Sequence, residues 1–234
     1  PVHSSQSNLF VNSLLEDTVR QCIWIGTEGY LFQYFPSTGQ MKQTEAFHNN
    51  SIKSLALDGN GDLLAGTDNG LYVYHNDTTP LQHIIHDSRN IQSLTNNIIW
   101  NIFADQEHNI WLGTDYGISL SRYNSALQFI PISQITGTGD GNQFYSLFRD
   151  SKGFYWFGGT NGLIRFTDPA GERHDTIWYR MGDKTYPLSH NRIRHIYEDK
   201  EQQLRIATDG SINRYDYATR QFIHYNIVDS TGMY

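Results

Sequence analysis

The sequence predicts an all-β fold, a β-propeller of five four-stranded blades that forms part of a larger propeller. Two observations lead to this prediction. An aspartate recurs at a blade-like spacing along the whole chain, and each copy is followed by a short apolar strand that ends in Gly-Thr or a near equivalent. The recurring aspartates, separated by 41, 47, 45 and 49 residues, are Asp17, Asp58, Asp105, Asp150 and Asp199.

Composition favours strands over helices. Of the 234 residues, 38% are hydrophobic and 14% aromatic, which is enough to bury a core in a single domain. Twenty Gly, fifteen Tyr, twelve Phe and five Trp suit pleated sheets, because aromatic rings pack well on strands and Gly supplies turns. No repeat shows apolar residues at helical spacing over a dozen positions, so a helical solenoid is excluded.

Each repeat is interpreted as four short strands with turns between them. The second strand is visible in IWIGTEGYL, LLAGTDNGL, IWLGTDYGI, YWFGGTNGL and LRIATDGSI, which align without gaps. The third strand closes on an aromatic residue, namely Tyr34, Tyr74, Tyr123, Phe166 or Tyr215. A more variable fourth strand follows. Residues 1–234 form a single predicted propeller segment with repeats at residues 8–48, 49–94, 95–140, 141–188 and 189–234.

When the five repeats are aligned on their aspartates, some positions of the first strand are alike in every copy and indicate the scaffold, whereas one varies and indicates function. Six and three residues before each aspartate, every copy is apolar. Four residues before it, side chains are polar and mostly small, as expected where strands converge on a narrow wet axis. Five residues before it, the chemistry differs in every copy: Asn12, Lys53, Trp100, Tyr145 and Arg194. A scaffold position would not vary so freely.

The loops that lead into the first strands gather on one face of a propeller, where amides and aromatic rings can converge on a sugar. The alternative for each polar residue is that it only serves a turn. The residues predicted to bind a ligand are Asn97, Trp100, Tyr145, Arg192, Arg194 and His195. Arg192 and Arg194 could also receive a carboxylate or sulfate, and unpartnered surface charge is an equal alternative for them.

Several classes of function are disfavoured. A net charge of −7 argues against nucleic-acid binding, and no stretch approaches the roughly 18 apolar residues of a membrane helix. Cys22 precedes an apolar run and is predicted to be a buried thiol. The DGNGD segment at residues 58–62 lacks the later ligands of a calcium loop, so it is interpreted as a hairpin turn, and neither a metal nor a cofactor is predicted. No nucleophilic triad stands out. A pair of carboxylates that cleaves glycosides stays an alternative.

The unit LTNNIIWNIFADQEHNIWLGTDYGISL, with LSHNRIRHIYEDKEQQLRIATDGSI and NNSIKSLALDGNGDLLAGTDNGL, resembles the two-component regulator propeller repeat. The resemblance implies the periplasmic sensor region of a hybrid two-component regulator from a polysaccharide-degrading gut bacterium. It also implies two seven-bladed propellers, an oligosaccharide ligand, a homodimer, and a histidine kinase that regulates polysaccharide-utilisation genes. The last repeat departs from the pattern, since Arg205 replaces the Trp and Ala207 replaces the Gly.

Three functions are therefore weighed. The main prediction is a non-enzymatic segment that binds an oligosaccharide and signals towards a kinase. The alternatives are a propeller lyase or hydrolase acting on glycans, which rests on fold analogy, and a protein-interaction scaffold. The five repeats are interpreted as an arc of a seven-bladed propeller, with exposed strand edges that pair with neighbours, rather than as a closed five-bladed ring.

Overall fold

The computed structural model describes residues 10–44, 47, 50–75, 79–123, 130–131, 142–167, 176–185 and 187–225. The regular elements in these ranges are twenty β-strands in five four-stranded sheets, which confirms the predicted all-β class. No helix long and apolar enough to cross a membrane occurs within the same ranges.

Each sheet takes its four strands consecutively from the chain, and the strands lie side by side in chain order. The first sheet contains β1 (Val11–Asp17), β2 (Cys22–Thr27), β3 (Leu31–Phe35) and β4 (Gln40–Thr44). The second contains β5 (Ile52–Leu57), β6 (Leu63–Thr67), β7 (Gly70–His75) and β8 (Thr79–Ile84). The third contains β9 (Ile99–Ala104), β10 (Ile110–Thr114), β11 (Gly117–Ser121) and β12 (Ile130–Pro131).

The fourth sheet contains β13 (Phe144–Arg149), β14 (Tyr155–Gly159), β15 (Gly162–Phe166) and β16 (Ile177–Tyr179). The fifth contains β17 (Ile193–Glu198), β18 (Leu204–Thr208), β19 (Ile212–Asp216) and β20 (Gln221–Tyr225). The chain divides into two compact units. The first unit is Pro1–Leu112 with Ser121–Phe129, and the second is Gly113–Leu120 with Ile130–Tyr234.

The recurring aspartate fastens the first turn to the second strand in four of the five sheets. One carboxylate oxygen, Oδ1, accepts backbone N–H bonds from the turn, as at Asp150, where the donors are Lys152 at 3.0 Å and Phe154 at 2.8 Å. The other oxygen, Oδ2, accepts a side-chain N–H from the second strand. The donors to Oδ2 are Trp24 at 3.1 Å, Trp111 at 2.9 Å, Trp156 at 2.7 Å and Arg205 at 2.7 Å.

Asp58 shows the same use of Oδ1, which accepts the backbone N–H groups of Asn60 and Asp62, both at 2.8 Å. This confirms the hairpin turn predicted for DGNGD. In this sheet Leu64 stands where Trp24 stands in the first sheet, and an apolar side chain offers no hydrogen-bond donor.

A glycine near the end of the second strand allows neighbouring sheets to approach closely. A Cβ at Gly26 would lie 2.6 Å from Cγ2 of Ile52, and a Cβ at Gly66 would lie 2.7 Å from Cγ2 of Ile99. Gly158 and Ile193 meet in the same way in the second unit. Each isoleucine is the first residue of the next sheet's first strand and is fully buried. The close approach predicted from these glycines is confirmed.

The polar column of the first strand has a different role from the one expected. Ser13 Oγ accepts the backbone N–H of Leu55 at 3.1 Å, and Ser54 Oγ accepts that of Ile102 at 3.0 Å. In the second unit, Ser146 Oγ accepts the N–H of Ile196 at 3.0 Å. The expected wet axis is wrong for Ser54 and Ser146, which are buried, because their hydroxyl groups join each sheet to the next.

One closing aromatic was assigned wrongly. The fifth residue of the third strand is Tyr74 in β7 and Phe166 in β15, but it is Ser121 in β11. Tyr123 lies beyond β11 and is 40% exposed. The third sheet therefore carries a small residue at a position that is a buried aromatic in the sheets before and after it.

Replacing Gly158 with Ala should destabilise the chain by about 1–3 kcal/mol, because the new Cβ overlaps Ile193 in a packed seam. The midpoint of urea unfolding measures this. Ala207 occupies the corresponding place in β18 and already carries a Cβ, so Ala207→Gly should cost only about 0.5–1 kcal/mol from lost strand preference. Equal stability of Gly158→Ala and the parent chain would contradict the role assigned to this seam.

Candidate functional site

The variable column of the first strand coincides with a β-bulge. In β1, Val11 pairs with Thr27 and Ser13 pairs with Gly26, so Asn12 is left without a partner on β2. The same register shift leaves out Lys53, Tyr145 and Arg194 in their sheets. A bulge residue lies outside the regular ladder, and its side chain can be aimed away from the sheet face. The position that varies most is therefore the one least constrained by pairing.

In the first unit, three variable residues lie on successive first strands. Asn12 Nδ2 donates to the backbone oxygen of Ile52 at 3.1 Å and to Ser51 Oγ at 3.3 Å. The Lys53 ammonium lies 4.5 Å from the centre of the Trp100 ring, at a distance suited to a cation–π contact. Trp100 is half-buried, so part of its ring is open to solvent.

In the second unit, Tyr145 begins a chain of polar contacts. Its hydroxyl donates to Gln143 Oε1 at 2.5 Å, and Gln143 Nε2 donates to Asp115 Oδ1 at 2.5 Å. All three residues are half-buried. The chain joins a first strand, the loop leading into it and the turn between β10 and β11, which all lie at the same end of their strands.

Arg194 and Arg192 share one carboxylate. Arg194 Nε and Nη2 donate to the two oxygens of Asp209, at 2.5 and 3.3 Å, and Arg192 Nη1 lies 3.8 Å from Oδ2. The hydrogen bond from Arg194 holds the pKa of Asp209 below its ordinary value, and the charges of Arg194 and Arg192 lower it further. The same bond raises the pKa of Arg194, with a smaller contribution from Tyr145.

The six predicted ligand-binding residues fall in different surroundings. Asn97 serves its own loop, because its Oδ1 accepts the N–H of His86 at 2.6 Å and its backbone oxygen accepts that of Gly70 at 2.7 Å. Arg192, Arg194 and His195 are exposed in the second unit. The structure brings both arginines to Asp209, so the carboxylate that they could receive is supplied by the chain itself.

Sequence reasoning missed the residues that follow the second strand. The position after the Gly-Thr threonine is a carboxylate in four repeats and Thr160 in the remaining one. The four acidic residues are Glu28, Asp68, Asp115 and Asp209. Asp68 accepts the N–H of Ser51 at 3.0 Å, while Asp115 and Asp209 make the contacts described above. This repeated acidic column was visible in the aligned segments and could have identified them.

No metal site is found in the part of the chain that the structure describes, where no group of three or more His, Cys, Asp and Glu residues is placed to hold an ion. The polar groups at this end of the sheets are instead hydroxyls, amides, guanidinium groups and carboxylates. They can exchange hydrogen bonds with a hydroxyl-rich ligand, and the exposed part of an aromatic ring can pack on an apolar face of it.

Five consecutive four-stranded sheets joined by glycine seams define a propeller-type repeat protein. The family model for the two component regulator propeller matches residues 93–116 and 138–161. The chain is also similar to two solved structures of the extracellular domain of BT4673 from B. thetaiotaomicron, described as a proposed one-component and a proposed hybrid two-component system. Both are 96% identical, cover 99% and 100% of this chain, and have TM-scores of 0.50 and 0.51.

The predicted resemblance to the two-component regulator propeller repeat is confirmed, because the family model matches two segments of the chain. The chain spans about a third of the two solved chains, at 31% and 32% of their lengths. Because both are extracellular domains, the predicted extracytoplasmic location is confirmed.

More distant structures share the fold alone. The extracellular domain of BT3049 from B. thetaiotaomicron is 22% identical, with 98% of this chain and 33% of that chain covered and a TM-score of 0.74. Virginiamycin B lyase from Staphylococcus aureus is 13% identical, with 97% and 73% covered and a TM-score of 0.70. No curated protein sequence matches the chain.

Replacing Arg194 with Gln should raise the pKa of Asp209 towards the ordinary aspartate value of about 3.9, because the guanidinium stabilises the ionised carboxylate. In the parent chain the pair persists above the lowered pKa and is lost as the pH falls through it. Carboxyl chemical shifts measured by NMR across an acid titration report the pKa of Asp209 in the variant and in the parent chain.

Asp216 is the matched control for this titration. Its pKa is also lowered, chiefly by the backbone N–H of Ala218, and Arg194 makes no contribution to it. Its titration should be the same in Arg194→Gln and in the parent. An unchanged Asp209 in the variant would show that the Arg194 contact does not hold in solution.

Proposed function

We propose that this chain is a non-enzymatic, ligand-binding segment of the sensor region of a hybrid two-component system, and that its ligand is an oligosaccharide. Binding would be passed towards a histidine kinase, through a homodimer of the full-length protein, to regulate genes for polysaccharide use. The match of two segments to the two-component regulator propeller and the 96% identity to an extracellular domain support the sensory part of this proposal.

The observation that carries the ligand-binding part is the bulge in the first strand. The residue before it is apolar in every sheet, and the residue after it is a serine in three sheets, where its hydroxyl bonds to the next sheet. The bulged residue itself is an amide, a cation, an aromatic or a guanidinium, depending on the sheet. A position held in a fixed place by the scaffold and free in its chemistry is suited to recognising a ligand.

The chemistry of these side chains suits a sugar. In the first unit, Lys53 lies over the Trp100 ring, and the exposed part of the indole offers a surface on which the C–H face of a pyranose can stack. In the second unit, Tyr145, Gln143 and Arg194 supply hydroxyl, amide and guanidinium groups that can pair with sugar hydroxyls. Asp209 partly neutralises the two arginines, which favours a neutral oligosaccharide over a sulfated one.

Titration calorimetry with a panel of oligosaccharides, followed by product analysis of each mixture, tests this function. We expect binding without turnover. Trp100→Ala and Tyr145→Ala should each weaken the binding of the recognised oligosaccharide by about tenfold or more, because each truncation removes a contact surface at a recognition position. Product formation would instead indicate an enzyme, and the absence of any binding would indicate a scaffold.

Tyr197→Ala is the matched control. Tyr197 is 52% exposed and lies on β17, but it pairs regularly with Arg205 and is not a bulge residue. Its loss should leave the affinity unchanged. If Tyr197→Ala weakened binding as much as Tyr145→Ala, the effect would not be specific to the bulge, and the proposed recognition position would be wrong.

A further inference from the structure

A cavity of about 250 Å³ lies between the second and third sheets, and all of its lining residues belong to the first unit. Its floor is apolar and includes Leu64, Leu71 and Ile110. Its rim is polar and includes Asp58 and Tyr123. The cavity lies at the end of the strands where the recurring aspartates are found, which is the opposite end from the bulge of the second sheet.

The cavity exists because two large side chains of the repeat are missing on facing sheets. In the second unit, Trp156 of β14 packs edge-on against Tyr215 of β19 in the next sheet, with ring centres 4.9 Å apart. In the first unit, Trp24 and Tyr74 lie in one buried cluster. Between the second and third sheets, the corresponding tryptophan is Leu64 and the corresponding tyrosine is Ser121, and both line the cavity.

The register of the strands supports this correspondence. Trp156 pairs with Arg165 on the third strand of its sheet, and Leu64 pairs with Val73 at the same place in the second sheet. Leu64 is buried in the cluster that also contains Leu71 and Ile110. The cavity is therefore the space that the indole of a tryptophan occupies elsewhere in the repeat.

The missing tryptophan also leaves a hydrogen-bond acceptor in place. Oδ2 of the recurring aspartate accepts a side-chain N–H from the second strand in the other four sheets. Leu64 cannot donate to Asp58, whose Oδ1 is already used by the turn. Asp58 lines the cavity, so this carboxylate is available to a donor that enters from outside the chain.

We propose that this cavity is a second ligand site, which binds a small planar heteroaromatic molecule with one N–H donor, of the size and chemistry of indole. The ring lies on Leu64, Leu71 and Ile110, and the N–H donates to Oδ2 of Asp58. An apolar cavity of about 150 Å³ binds benzene, so a cavity of about 250 Å³ has room for two fused rings. The ligand thus replaces the side chain that the repeat lacks in this sheet.

Fluorine NMR of 5-fluoroindole, titrated with the chain and displaced by unlabelled indole, tests the proposal. We expect saturable line broadening that indole reverses, with a Kd of order 1 mM or tighter for so small a molecule. 1-Methylindole has the same rings but no N–H donor, so it should compete about tenfold more weakly. The absence of broadening at several-fold higher concentrations of protein and probe would overturn the proposal, as would equal competition by 1-methylindole.

Variants of the cavity make the test specific. Leu64→Trp restores the side chain of the repeat, so it should abolish probe binding and raise the midpoint of thermal unfolding. Ser121→Tyr restores the facing side chain and gives an independent way to fill the cavity if Leu64→Trp does not fold. Retained binding in a folded variant of either kind would place the probe elsewhere and refute this site.

Two further variants separate the acceptor from the oligosaccharide site. Asp58→Asn keeps the Oδ1 acceptor of the turn but changes Oδ2 to a donor, so indole should bind about tenfold more weakly and lose its advantage over 1-methylindole. Trp100→Ala should leave indole binding unchanged, because Trp100 lies at the other end of its strand. Failure of the indole test would therefore leave the proposed oligosaccharide function untouched, and the reverse also holds.

Discussion

The close approach of one sheet to the next, made possible by a glycine on the second strand, is the constraint on which the rest of each unit depends. At Gly26 and Gly66 the next sheet's leading isoleucine occupies the space that a Cβ would need. The serine hydroxyl beside each seam then reaches the following backbone N–H. Apolar packing and a hydrogen bond are thus set by the same few residues, so they cannot be changed independently of each other.

The five-fold repeat of the sheets was predictable because its signals are local. The aspartate, the Gly-Thr pair and the apolar columns each depend on a turn or on packing that recurs in every repeat. A pattern that is weak in one repeat becomes recognisable when it occurs five times. The apolar columns are buried as expected, except in β1, where Val11 and Leu14 are exposed. In the sequence, the bulge appears only as a column of variable residues, because no particular residue type marks the register shift.

The candidate site was less predictable because its contacts join separate parts of the chain. Asp209 lies 15 residues after Arg194, and no spacing rule connects a second turn with a first strand. Tyr123 matches the closing position by its aromatic character alone, whereas the register of β11 places Ser121 there. Ser121 is the partner of Leu64 in the facing pair of reduced side chains that opens the cavity.

The aspartate that ends each first strand shows how much substitution the repeat accepts. Its Oδ1 accepts backbone N–H groups of the turn, and in four sheets its Oδ2 accepts a side-chain N–H from the second strand. Arg205 stands where three other repeats have an indole and still donates to Asp199, at 2.7 Å, so the loss of Trp in the last repeat preserves the contact. Leu64 is the substitution that does not preserve it, since an apolar side chain offers no donor to the second oxygen of Asp58.

The bulge has a consequence for how such a protein can diverge. Because Asn12, Lys53, Tyr145 and Arg194 lie outside the ladder that holds their sheets together, mutations at these positions need not cost folding stability. Duplicated genes could therefore acquire new specificities one codon at a time while retaining a working scaffold.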